Sequence, residues 1–244
     1  MVRTAAASEL NIAGMTPFST VDWPDMMTAT LFLQGCPWNC FYCHNPALID
    51  PRADGEVTWG DVMDLLCDRI GLLDAVVFSG GEPTMQRALI PAMREVRDLG
   101  FLVGLHTAGA YPGLLAQALP HVDWVGLDIK ALPPDYAQVT GRAPSGAGAW
   151  RSLELVLGNQ LLRADTDRPL DFEVRTTVHP AAIDDARLRE LGCRLADAGV
   201  ECWAVQRFRE TGTRHPLPRV DVTDAPPLRL DDLPVERFAS LVVR

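Results

Sequence analysis

Gly35-Cys36-Pro37-Trp38-Asn39-Cys40-Phe41-Tyr42-Cys43-His44-Asn45-Pro46 is the stretch from which the fold can be read outward. Three cysteines fall in it, separated by three residues and then two. Directly ahead lies TATLFLQ (28–34), a short apolar run that fits a buried strand. The cysteines therefore occupy a loop at that strand's carboxyl end. Thr58, with Asp61 three residues on, caps a helix that runs through residue 70. Strands are predicted at 74–78, 101–105, 122–129, 171–178 and 201–205. Helices are predicted at 85–99, 111–119, 150–164 and 183–198. About six strand–helix units in one run predict a parallel α/β sheet. Six units are fewer than the eight of a closed barrel, so an open sheet or a partial barrel is expected. In either case function belongs at the carboxyl ends of the strands. Residues 132–149, with Pro133, Pro134, Gly141, Pro144, Gly146 and Gly148, read as a loop. The proline-rich 216–234 reads as an extended tail. No linker divides the chain, so a single domain over 1–244 is expected, with its core at about 11–208 and residues 209–244 as a proline-rich extension.

Composition narrows the class. The chain has 244 residues, 48% hydrophobic, enough for one sizeable core. Lys and Arg number 22 against 32 Asp and Glu, a formal net charge of −10. An acidic chain without a basic run lacks the footprint of a general nucleic-acid binder. No apolar run approaches the roughly 20 residues that span a bilayer, and the first ten residues are too short and polar for a signal-peptide core. Neither partner class, nucleic acid or membrane, is expected. A cytoplasmic location is.

Cysteine usage sharpens this. A secreted disulfide scaffold spreads its cysteines in pairs, whereas a tight cluster in a cytosolic chain reads as a metal site. Structural zinc wants four ligands and usually two paired motifs, and no second pair exists. His44 directly adjoins Cys43, and neighbours in a tight loop seldom both reach one tetrahedral centre. Iron–sulfur cubanes are normally held by four thiolates. Three cysteines without a fourth suggest a cubane with one iron open to a non-protein ligand. Cys67, Cys193 and Cys202 stand alone in predicted helices or strands and read as buried hydrophobes.

With these residues in view, the chain resembles the radical S-adenosylmethionine (radical SAM) enzymes. The C-x3-C-x2-C loop after the first strand carries the likeness, and Ser79-Gly80-Gly81-Glu82-Pro83-Thr84 and Asp128-Ile129-Lys130 extend it. The full cysteine string resembles the activating enzymes of glycyl-radical enzymes, and among those the activating proteins of anaerobic ribonucleoside-triphosphate reductase. The resemblance runs from about Asn11 to Phe208. It implies a partial (β/α)6 barrel of mostly parallel strands. It implies one [4Fe-4S] cluster on Cys36, Cys40 and Cys43, and S-adenosylmethionine as second cofactor.

The resemblance also assigns roles. Gly80, Gly81 and Glu82 would meet the amino group of the methionine moiety. Asp128 and Lys130, on one face at period two, would take the ribose and carboxylate. Tyr42 would pack on adenine, with Cys43 and His44 beside it. His106 closes the third strand where several relatives carry an acidic residue, with Ala108 where they carry Asn. His179 and Gln206-Arg207 end later strands and would face the same cavity. The implied reaction passes one electron from the cluster to the sulfonium, giving methionine and a 5′-deoxyadenosyl radical that takes the Cα hydrogen of a glycine in a partner enzyme. Flavodoxin or ferredoxin is the implied electron donor. Two other readings compete: a radical SAM enzyme acting on a small molecule, like the carboxy-deazaguanine synthases, and a non-catalytic iron–sulfur or zinc protein. Replacing Cys36, Cys40 or Cys43 by Ala is expected to abolish SAM cleavage under anaerobic, reducing conditions. Retained cleavage in any one of them would sink the assignment.

Overall fold

The computed structural model describes residues 5–213 and 232–244. Its strands are β1 (Ile12–Ser19), β2 (Thr28–Leu33), β3 (Ala75–Gly80), β4 (Leu102–Thr107), β5 (Trp124–Asp128), β6 (Asp171–Val178), β7 (Cys202–Arg207) and β8 (Ser240–Val243). Its helices are α1 (Trp59–Asp68), α2 (Leu89–Asp98), α3 (Pro112–Ala118), α4 (Tyr136–Thr140), α5 (Gly146–Arg163) and α6 (Asp185–Asp197). The eight strands form one sheet in sequence order. β1 runs antiparallel to β2, and every later neighbour is parallel. β1 and β8 are not paired to each other, so the sheet curls as an open barrel. Among the described residues no helix is long and apolar enough to cross a membrane.

Alternation along the strands sorts two faces. Val76, Phe78, Val103, Leu105, Val125, Leu127, Phe172, Val174, Trp203 and Val205 point one way. They pack with Val62, Leu66, Met93, Val96, Leu115, Leu153, Val156, Leu188 and Leu191 of the helices. The opposite face is small or polar: Ser79, Gly104, His106, Gly126, Asp128, Glu173, Arg175 and Thr177. At its lower end an apolar plug joins Ala75, Val77 and Trp124 to Trp23, which comes from the β1–β2 connection. The two indoles stack at 5.3 Å. Residue 104 must be glycine here, because a Cβ would lie 2.9 Å from the Trp23 ring and 3.0 Å from Val77.

Thr58 caps α1 as expected, its hydroxyl accepting from the Asp61 amide at 3.2 Å. Three features depart from the sequence reading. The antiparallel β1 was not expected, because Gly14 and Pro17 interrupt its alternation and bulges break its register. The stretch read as a loop over 132–149 contains α4 and the first turn of α5. Tyr136 and Val139 are buried there and hold α4 in place despite the flanking prolines and glycines. Finally, the C-terminal extension contributes β8 to the sheet. The tail read over 216–234 lies outside the described residues as far as residue 231. Gly104→Ala is expected to destabilise the fold by about 1–3 kcal/mol by overpacking the plug. A urea midpoint unchanged from wild type would contradict that packing.

Candidate functional site

The cysteine loop is held at both roots by backbone. Gly35 N–H donates to Leu48 at 2.8 Å and Cys36 N–H to Ile49 at 3.1 Å. Gly35 adopts φ +98°, a region where glycine is favoured. The Gln34 side chain crosses the loop, donating to the carbonyls of Ala47 (2.9 Å) and Asp50 (2.8 Å). From the far side α4 supports the turn: Asn39 N–H donates to Thr140 at 2.9 Å, and Trp38 meets Tyr136 edge to face.

Cys36, Cys40 and Cys43 all line one cavity at the carboxyl ends of the strands. Opposite them stand Ser79, Gly80, Gly81, His106, Asp128, Lys130, Arg175, Thr177 and Gln206. Burial pushes the Cys36 thiol up to about 12 and the Cys40 thiol up as well. Thiols so placed stay protonated unless a metal takes the proton's place. Among the described residues no three His, Cys, Asp or Glu side chains gather tightly enough for a single metal ion. A cubane asks for one thiolate on each of three separate irons, and three thiols line this cavity. The donor set therefore suits a cluster.

The Gly-Gly-Glu turn is shaped by close backbone packing. A Cβ on Gly81 would overlap the Gly35 carbonyl, and one on Gly80 the Leu33 backbone. Gly81 N–H donates to Leu33 at 2.9 Å and Glu82 N–H to Gly35 at 2.8 Å. The missing side chains thus let the end of β3 lock onto the root of the cysteine loop. Glu82 is fully buried and does not line the cavity. Its carboxylate accepts from the Thr84 hydroxyl (2.5 Å) and amide (3.2 Å), the Thr107 hydroxyl (2.7 Å) and the Ala108 amide (2.9 Å). Burial pushes this carboxyl up, against hydrogen bonds that favour the carboxylate. With four donors on its two oxygens, Glu82 braces β3 against the end of β4. These are the contacts the protein itself makes with the carboxylate.

Asp128 and Lys130 both face the cavity and pair at 2.9 Å. Burial acts to raise the Asp128 carboxyl, but Lys130 and then Arg175 hold it below the usual range. Burial acts to lower the Lys130 ammonium, but Asp128 above all holds it well above its usual value. Lys130 has three N–H donors and spends one on Asp128. The pair leaves a buried cation turned towards whatever fills the cavity.

His106 lines the wall, but both ring nitrogens are taken by protein. Nε2–H donates to the Asp22 carbonyl at 2.7 Å, and Nδ1 accepts from the Ser79 hydroxyl at 3.0 Å. The ring thus lines the cavity while its nitrogens are engaged by protein. Arg175 stands 2.9 Å from the same Nε2, donates to Asp22 at 2.9 Å and pairs with Glu173 at 2.9 Å. Arg244 then reaches Glu173 at 2.6 Å. Burial, then the Arg175 charge, pushes the His106 imidazole down to about 4.

His44 lines the cavity and donates from Nε2 to the Arg209 carbonyl at 2.9 Å. Tyr42 lines it too, with its ring near those of Phe41, His179 and Phe208. His179 and Arg207 are outside the lining, whereas Gln206 belongs to it. Arg175, Thr177 and Ser79 were not singled out from sequence. The alternation of 171–178 would have found the first two, since it sets Glu173, Arg175 and Thr177 on the face shared with Asp128.

An open α/β barrel with three thiols at the mouth of its first parallel strand defines a class. Residues 30–163 match the radical SAM superfamily, and the chain belongs to it. It is thus a radical SAM enzyme, and the superfamily's [4Fe-4S] cluster and S-adenosylmethionine are its cofactors. A Methanocaldococcus jannaschii protein named as a glycyl-radical enzyme activating enzyme is 27% identical over 203 residues, covering 81% of this chain and 79% of its own. The pyruvate formate-lyase-activating enzyme of Clostridium pasteurianum is 35% identical over 134 residues, 52% of this chain and 55% of its own length. The fold is similar to that of Streptococcus suis SuiB bound to S-adenosylmethionine (TM-score 0.57, 15% identity, 86% of this chain and 48% of that one). It is also similar to that of TsrM from Kitasatospora setae with cobalamin and a [4Fe-4S] cluster (TM-score 0.51, 14% identity, 84% and 44%). The chain spans about half of each of those two structures.

The depressed His106 value carries a sign. Below its usual 6.5 the unfolded imidazole takes a proton that the folded one refuses until about 4. Its contribution is whole above pH 6.5 and is lost as pH falls towards 4. Because the ring is partly exposed, the loss between pH 7 and pH 5 is expected at roughly 1–2 kcal/mol. A non-titrating His106→Gln variant should show a flatter profile in urea melts. Parallel profiles for the two proteins would contradict a neutral His106 imidazole.

Proposed function

We propose that this chain activates a glycyl-radical enzyme, abstracting the Cα hydrogen of one glycine in a large partner. The observation that carries the reading is likeness along most of the chain to a protein named for that activity, joined to a cavity that gathers three thiols and a buried Lys–Asp pair. The partner favoured is anaerobic ribonucleoside-triphosphate reductase. It is supported by the likeness of the Gly35–Pro46 string to the activating proteins of that enzyme. Flavodoxin or ferredoxin is the proposed electron donor.

When bound, the cluster and S-adenosylmethionine supply the one-electron chemistry of the reaction. The chain's own residues bind and orient. Cys36, Cys40 and Cys43, which line the cavity together, are the proposed cluster ligands. Lys130, with donors to spare beside Asp128, is the proposed partner of the carboxylate of S-adenosylmethionine, and Asp128 the acceptor for its ribose hydroxyls. Tyr42 and His44 flank the adenine side. Gly80 and Gly81 carry the cofactor-facing backbone, while Glu82 and His106 hold the turn and wall behind it. No side chain in the cavity is needed as a general acid or base, because a hydrogen atom and not a proton is moved. An open-sided barrel suits a loop of a protein substrate better than a closed one would.

The reading is checked by incubating the reduced, reconstituted protein with S-adenosylmethionine and anaerobic ribonucleotide reductase. The expected result is a glycyl-radical signal in electron paramagnetic resonance that needs all three components. Turnover of S-adenosylmethionine with no radical on the reductase, but with one on pyruvate formate-lyase, would reassign the partner. Turnover with a purine-like small molecule alone would overturn the proposal.

A further inference from the structure

Charge is spread unevenly around the cysteine loop. Residues 35–49 carry no Asp, Glu, Lys or Arg, in a chain of net charge −10. Two segments close on this loop. On one side Asn39 N–H donates to Thr140 at 2.9 Å, and a Cβ on Gly141 would stand 3.4 Å from the Asn39 carbonyl, which brings Arg142 beside the loop. On the other side His44 Nε2 donates to the Arg209 carbonyl at 2.9 Å, and the His44 ring lies 5.5 Å from that of Phe208. Arg142, Arg207 and Arg209 are exposed, and among the described residues none of their guanidinium groups has a carboxylate or hydrogen-bond partner. Elsewhere Arg151 pairs with Glu154, Arg187 with Asp135 and Arg237 with Asp197. Residues 136–149 and 206–213 together hold those three arginines and one carboxylate, Glu210. Asp50, at the other root of the loop, is taken by Arg52 at 3.1 Å. Asn39 is exposed and outside the cavity lining, so this face reaches the cysteine loop without passing through the barrel's mouth.

We infer that this face is where the electron donor docks, that the donor is a small one-electron carrier protein with acidic residues around its redox centre, and that Arg142 and Arg209 hold it over the cysteine loop. The inference rests on the reading of the loop as a cluster site and adds where the electron enters. Most of this chain's surface repels an acidic protein, so a local patch of unpaired arginines selects the approach. A guanidinium offers a carboxylate two parallel N–H donors, and these three have no internal ion pair to give up. One electron leaves the reduced carrier and enters the cluster, and no bond forms or breaks at the contact. Because the carrier sits outside the cavity, the mouth stays free for S-adenosylmethionine and for the loop that bears the glycine.

The test compares wild type, the double variant Arg142→Glu/Arg209→Glu and a control, Arg94→Glu/Arg237→Glu, which changes net charge equally on exposed arginines of α2 and of the turn before β8. Each is reconstituted anaerobically to equal iron and sulfide content. Cluster reduction by flavodoxin hydroquinone is followed by stopped flow, and reduction by photoreduced 5-deazariboflavin, a small uncharged reductant, is followed alongside. With flavodoxin at low ionic strength the loop variant should be slower than wild type by about tenfold or more. The gap should close in about 0.5 M salt. With deazariboflavin all three proteins should match, and the control should stay near wild type with both reductants. Equal slowing of the two variants, no slowing of either, or a wild type reduced by deazariboflavin but by neither flavodoxin nor ferredoxin would overturn the inference. So would a loop variant that accepts electrons normally from flavodoxin but no longer forms a radical on the glycine partner, since the arginines would then serve that partner. A wild-type protein that takes up no four-iron cluster would overturn the reading of the loop as well.

Discussion

The backbone of Gly81 runs so close to the carbonyl of Gly35 that no Cβ fits between them. That contact, with the two amide hydrogen bonds beside it, joins the end of β3 to the root of the cysteine loop. Everything at the mouth of the barrel depends on it. It sets where three thiols stand relative to the ends of the next strands, and it forces the chain onwards so that Glu82 turns inward. A buried carboxylate with four donors then ties the same turn to Thr107 and Ala108. A single added methyl group on Gly81 would separate the loop from the sheet that positions it.

Below the mouth the barrel interior is polar, and its side chains form one connected line. Arg244 reaches Glu173, Glu173 holds Arg175, Arg175 stands against His106, and His106 meets Ser79. The line joins the strap after β1, through the Asp22 carbonyl, to the residue that follows β8. Buried charges are tolerated when paired and hydrogen-bonded, and each of these has a partner. The cavity thus has a floor with fixed charge: Lys130 and Arg175 on either side of Asp128. Such a floor orients a ligand that carries both signs of charge.

Much of this was legible in sequence because it depends on local spacing. The cysteine triad, the run of strand–helix units and the period-two pairing of Asp128 with Lys130 are short-range patterns. The bracing of Glu82 is not legible, because Thr107 and Ala108 lie at the end of the next strand and nothing near residue 82 announces them. The partners of His106 are not legible for the same reason: they come from the β1–β2 connection, from β3 and from β6. β8 escaped notice because four residues after a proline-rich stretch carry too little pattern, and its stability comes from pairing with β7. α4 escaped because tertiary contacts of Tyr136 and Trp38 outweigh poor local propensity.

The central claim is that this chain holds a four-iron cluster by three cysteines and leaves one iron for S-adenosylmethionine. Mössbauer spectroscopy on protein reconstituted with iron-57, before and after adding S-adenosylmethionine, tests it most directly. One iron in four should change its signature on addition while three stay as they were. Four irons that all ignore S-adenosylmethionine, or a centre with fewer than four, would contradict the account.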